Sequence, residues 1–149
     1  KGRISLSKLS KVFDIPTELT KSFCVNLMRL NTINGFFADR GNEIITSDKI
    51  YKEIKAYAKE VGLFELSNLA KKLKIAVELA RKSLHELIKS GKVKGLFTQR
   101  REFMTRKHLE GKIKEIARAY RTMPLRELSN RLGVNESSIE EHLAQLIGN

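Results

Sequence analysis

Apolar residues recur along this chain at helical spacing, broken by short runs that suit strands. Ile50, Ile54, Tyr57, Ala58 and Val61 fall on one helical face. Ser47 or Asp48 stands where it can accept the first free backbone N–H groups, and Gly62 stands where a helix would end. Leu63-Phe64-Glu65 is too short for a helix and reads as an extended strand. Leu66, Leu69, Ala70 and Leu73 mark a second, short helix, and Lys74-Ile75-Ala76 a turn. Val77, Ala80, Arg81, Leu84, Leu87 and Ile88 line a third helix, which Ser90-Gly91 stops. Val93, Leu96 and Phe97 then run into Arg100-Arg101, and Phe103-Met104-Thr105 comes next, giving two strands around a charged tip.

This pattern occurs more than once. Gly2-Arg3-Ile4-Ser5-Leu6-Ser7-Lys8-Leu9 aligns with Gly62-Leu63-Phe64-Glu65-Leu66-Ser67-Asn68-Leu69 at an offset of 60 residues. The offset holds through Phe13/Leu73, Ile15/Ile75, Leu27/Leu87, Gly35/Gly95 and Phe37/Phe97. A third copy lies 59 residues further on, with Leu125, Leu128, Leu132, Val134 and Leu143 matching Leu66, Leu69, Leu73, Ile75 and Leu84. Shared glycines and a near-constant offset are the mark of a repeat architecture. The units are 1–46, which lacks its first helix, 47–105, which is complete, and 106–149, which lacks its hairpin.

Helix, short strand, helix, turn, helix and hairpin is the winged-helix order, an elaborated helix-turn-helix. The expected fold is mostly α with small β-hairpins, in tandem winged-helix repeats. A unit of about 59 residues is marginal alone, so successive units should pack together, with 47–105 the most self-sufficient. Bare apolar residues are expected at the open ends: Leu6, Leu9 and Phe23 in the first unit, Leu125, Leu143, Leu146 and Ile147 in the third. Such patches mark protein interfaces.

The segments Leu66-Ser67-Asn68-Leu69-Ala70 and Leu87-Ile88-Lys89-Ser90-Gly91-Lys92-Val93-Lys94-Gly95 resemble the winged helix that closes PCI-type scaffold subunits. A narrower likeness is to the winged-helix array of the ligase for the ubiquitin-fold modifier, the ufmylation ligase. It is carried by the run from Gly2 through Phe13-Asp14-Ile15-Pro16 and by Gly41-Asn42-Glu43-Ile44-Ile45-Thr46. It covers nearly all of the chain. The resemblance implies a scaffold without a catalytic Cys thioester, which docks a second winged-helix subunit to complete its array. The family recruits its conjugating enzyme through a segment ahead of the winged helices, and nothing equivalent stands in this sequence.

Composition bears on the partner. The chain has 149 residues, 29 Lys+Arg against 17 Asp+Glu, and a formal net charge of +12, which favours a polyanionic or acidic partner. Residues 47–105 carry +7 of it, against +3 before them and +2 after. The candidate polyanion-binding residues are Arg81, Lys82 and Lys89 on the third helix of that unit, Lys92, Lys94, Arg100 and Arg101 on its wing, and Arg106 and Lys107 beyond. DNA or RNA binding through them, as in a transcription regulator, is the alternative to the scaffold reading. Against it, the third helix of the last unit presents Glu136, Glu140 and Glu141 and no cation, and an acidic helix repels phosphate.

Other chemistry is sparse. One Cys excludes an internal disulfide and fits a reducing, cytoplasmic setting. Cys24 aligns with core-facing Leu84, which reads as a buried structural thiol. His85, His108 and His142 lie far apart, so no metal is expected. Gly91-Lys92 precedes Val93 rather than Ser or Thr and is no phosphate loop. The reading is non-enzymatic, with no cofactor and no membrane span. The absence of an initial Met reads as a piece of a longer protein.

Overall fold

The computed structural model describes residues 2–148. Strand β1 (Arg3–Ser5) leads into helices α1 (Leu6–Phe13) and α2 (Thr17–Arg29), then the hairpin β2 (Gly35–Ala38) and β3 (Glu43–Thr46), whose tip is a 3-10 turn. Helix α3 (Ser47–Val61) opens the same series again: β4 (Leu63–Glu65), α4 (Leu66–Leu73), α5 (Val77–Lys89), β5 (Gly95–Phe97) and β6 (Glu102–Thr105). Helices α6 (Arg106–Ala119), α7 (Leu125–Leu132) and α8 (Glu136–Ile147) complete the described chain. It is mostly helical with two small antiparallel sheets, ordered β1-β3-β2 and β4-β6-β5.

Two local expectations are corrected. The N-cap position of α3 is Thr46, without a side-chain bond to the helix; Ser47 and Asp48 lie inside its first turn, and the Ser47 hydroxyl donates to Asn34 Oδ1 at 2.9 Å. Strand β5 starts at Gly95 rather than Val93, because the N–H groups of Lys92 and Val93 both bond back to the Leu87 carbonyl and hold this stretch against the end of α5.

The middle strand of each sheet presents alternate residues to opposite faces. On one face of the second sheet, Phe103 lies between Phe64 and Phe97, with ring centroids 5.5 and 5.4 Å away. Phe103 and Phe64 belong to the core shared with α3, α4 and α5. On the other face Met104, flanked by Leu63 and Leu96, joins Leu109, Leu132, Val134 and Ile139 of the following segment. The first sheet does the same. Ile44, between Ile4 and Phe37, packs on Leu6 and Cys24, while Ile45 enters the core of residues 47–105 together with Ala38. Gly95 makes the tight pairing possible, since a Cβ there would run into the Met104 carbonyl and the Phe103 ring.

Each hairpin tip is also bonded to the next segment of the chain. Asp39 N–H donates to the Lys74 carbonyl at 2.7 Å, and Gln99 N–H to the Gly133 carbonyl at 2.8 Å. Lys74 and Gly133 occupy the same place, the left-handed residue ending a short helix, at φ 54° and 64°. Arg3 strengthens the first junction. Its guanidinium bonds Glu43 at 2.9 Å, Glu53 of α3 at 3.2 Å and the Leu73 carbonyl at 2.6 Å.

Candidate functional site

The predicted basic cluster divides into separate groups. Lys92, Lys94, Arg106 and Lys107 line an open groove of about 890 Å³ between the C-terminal half of α3 and the N-terminal half of α6. Lys55, Lys59 and Lys112 join them there. Sequence reasoning missed Lys55 and Lys59 because they lie far from the hairpin along the chain, and Lys112 because it lies further along α6 than Arg106 and Lys107. The turn at Gly62 brings them in by setting the end of α3 against the start of α6, where a Cβ on Gly62 would collide with His108. Arg100 and Arg101 sit away from this groove at the hairpin tip, beside the Gln99 bond to the next segment. Arg81 and Lys82 are exposed on α5, Arg81 lying 3.7 Å from Glu78, and Lys89 is exposed at the end of that helix.

Electrostatics within the groove are uneven. Arg106 Nε donates to Glu110 at 3.0 Å, and Lys112 Nζ to Glu115 at 3.0 Å. Lys55, Lys59, Lys92, Lys94 and Lys107 have no carboxylate within ion-pair distance among the described residues. Helices α2, α3, α5, α7 and α8 each carry an acid in the first turn, where the helix dipole favours it. Helices α1, α4 and α6 carry none, and α6 opens on Arg106, Lys107 and His108. The floor is aliphatic: Ala58, Val61 and Val93.

The apolar candidates are only partly bare. Leu6 is 3% exposed, contrary to expectation, because its own hairpin covers it and packs it on Cys24 and Ile44. Leu9, Leu125 and Leu143 are half-buried, the last two against α6 residues Leu109, Ile113 and Ile116. Phe23, Leu146 and Ile147 are exposed. Phe13 and Leu19 are also exposed, though the sequence pattern did not single them out. The alignment held the clue for Phe13: its counterpart Leu73 is buried in a core that includes Ile50, Ile54 and Ala58 of α3.

The single cysteine and two of the histidines lie apart from the groove. Cys24 is buried, and burial raises its thiol pKa, away from a nucleophile's range. His85 stacks on Phe97 with centroids 5.8 Å apart. His142 is 7% exposed, its Nε2 lying 3.6 Å from Glu110 Oε1 and making no hydrogen bond. Burial, then the nearby Arg106 cation, lower its pKa against the opposing pull of Glu110. No group of His, Cys, Asp or Glu among the described residues could hold a metal ion, and no helix there is long and apolar enough to cross a membrane. The chain matches no known family model and no curated protein.

Proposed function

We propose that this chain is a segment of a non-catalytic tandem winged-helix scaffold that assembles protein partners, of the type its sequence resembles in the ufmylation ligase. One observation carries the reading: each hairpin gives one face and a backbone N–H at its tip to the next segment. Ile45 and Met104 on their outer faces enter the next core, and Asp39 and Gln99 at their tips bond to the next segment. A winged helix that reads DNA needs its wing free to touch the backbone. Here the wing serves as the joint between segments, which favours an assembly support over a nucleic-acid reader.

The test is competition. Added in excess to a reconstituted reaction of the ubiquitin-fold modifier, its activating and conjugating enzymes and its ligase, the chain is expected to lower product by occupying the ligase's second winged-helix subunit. Unchanged product together with sub-micromolar binding to duplex DNA at physiological salt would favour the regulator reading instead.

A further inference from the structure

We infer that the groove between α3 and α6 docks an acidic amphipathic α-helix from a protein partner, lying along α6 over Gly111. This deepens the scaffold reading and rests on it, since it names the kind of partner such a support would hold.

Shape comes first. The groove does not end at Lys112. A shallower trough lined by Gly111, Lys114, Glu115, Arg118 and Ala119 continues it along the same helix. Gly111 and Glu115 belong to both hollows. Gly111, Glu115 and Ala119 are spaced at i, i+4 and i+8, the ridge along which helices pack on one another. The 14 residues of α6 span about 21 Å at 1.5 Å per residue, which about four turns of a partner helix would match. Gly111 costs its helix about 0.5–1 kcal/mol relative to alanine, and a Cβ there would meet nothing within 4 Å. A residue that weakens its own helix while leaving open space before it lets another main chain come close.

Charge chooses the occupant. Lysines line the groove from three parts of the chain, Lys55 and Lys59 on α3, Lys92 and Lys94 ahead of β5 and Lys107 on α6, together with the aliphatic Ala58, Val61 and Val93. A helix with apolar residues on one face and carboxylates on its flanks matches both features. A nucleic acid matches them less well. Single strands need aromatic platforms on which to stack, and the only ring in the lining is His108. Each strand of a duplex carries a phosphate at every nucleotide, about one per 3.4 Å of axis, so a strand lying along the groove would bring phosphates towards Glu60, Glu110 and Glu115, which are set among the lysines. A peptide helix can place a neutral or basic residue opposite each.

The experiment uses three fluorescent probes on the full chain: an 18-residue peptide with Leu at helical spacing and Glu on its flanks, a scrambled peptide of equal composition, and an RNA duplex. Anisotropy should show saturable binding of the periodic peptide in preference to the other two. The paired reversals Lys55→Glu/Lys59→Glu and Lys92→Glu/Lys94→Glu should each weaken it at least tenfold. Gly111→Leu should weaken it as much while leaving helicity and melting temperature unchanged or raised; if it disturbs the fold, Gly111→Ala serves with a smaller loss. The proposal is overturned if the two peptides bind alike, if the duplex binds more tightly and shows the same dependence on these residues, if Gly111→Leu binds like the parent, or if no peptide binds. The competition experiment above reads conjugation product rather than peptide binding, so loss of peptide binding with competition intact would sink this proposal and leave the assembly reading standing.

Discussion

Ile44 and Ile45 are neighbours of the same type with different duties. Ile44 closes the core of the first segment, while Ile45, wholly buried, belongs to the next one. Truncating either to alanine should cost about 2–5 kcal/mol, but in different places. Hydrogen exchange should quicken in α1 and α2 for Ile44→Ala, and in α4 and α5 for Ile45→Ala. His142 bears on pH. Its pKa is lowered on folding, so as pH falls through the ordinary value of 6.5 the unfolded chain takes up the proton first, and stability is lost. Above that value the contribution of the neutral ring is complete. Melts between about pH 7.5 and about pH 5.5 should therefore fall more steeply for the parent than for His142→Gln. Equal slopes would mean that the imidazole meets the same surroundings folded and unfolded.

At the scale of elements, the helices were legible because each announces itself by period and by a stop. Gly62, Ser90 and the left-handed residues after α1, α4 and α7 fall where the pattern breaks. What could not be read was which face of each hairpin would be spent on a neighbour. Alternation in Phe103-Met104 says only that two faces exist, and both are apolar. Leu6 departs from expectation for the same reason: its cover is the sheet of its own segment, reached across 38 residues to Ile44, rather than a preceding helix. The basic groove was half legible, since Lys92 through Lys107 are near in sequence whereas Lys55 and Lys59 arrive through tertiary structure. Arg3 shows how far one position can depart from its copy. It aligns with Leu63, which packs among apolar residues, yet it joins β1 to α3 through Glu53 and to α4 through the Leu73 carbonyl. Losing those charge-assisted bonds in Arg3→Ala should weaken the junction by about 1–3 kcal/mol, seen as faster exchange at the ends of β1 and α4 with α7 and α8 unaffected.

Across the whole molecule, the middle and last segments do not own their cores outright, since each takes in residues of the hairpin before it. Residues 47–105 have the full set of elements and were expected to be the most self-sufficient, yet their core includes Ala38 and Ile45. A fragment of residues 47–105 should therefore unfold at lower urea than one of residues 2–105, monitored through the α4–α5 helices. Identical midpoints would mean that the hairpin merely rests against its neighbour. The bonds at the two tips carry a different implication. Each runs from main chain to main chain, and the residues concerned differ completely, Asp39 and Lys74 at one junction, Gln99 and Gly133 at the other. Drift can change these side chains and keep the bond wherever the left-handed backbone at Asp39, Lys74 and Gly133 is preserved, whereas proline at the donor would remove it. The register of each hairpin on the segment that follows is thus carried largely by the backbone, which leaves the outer side chains of those segments free to change.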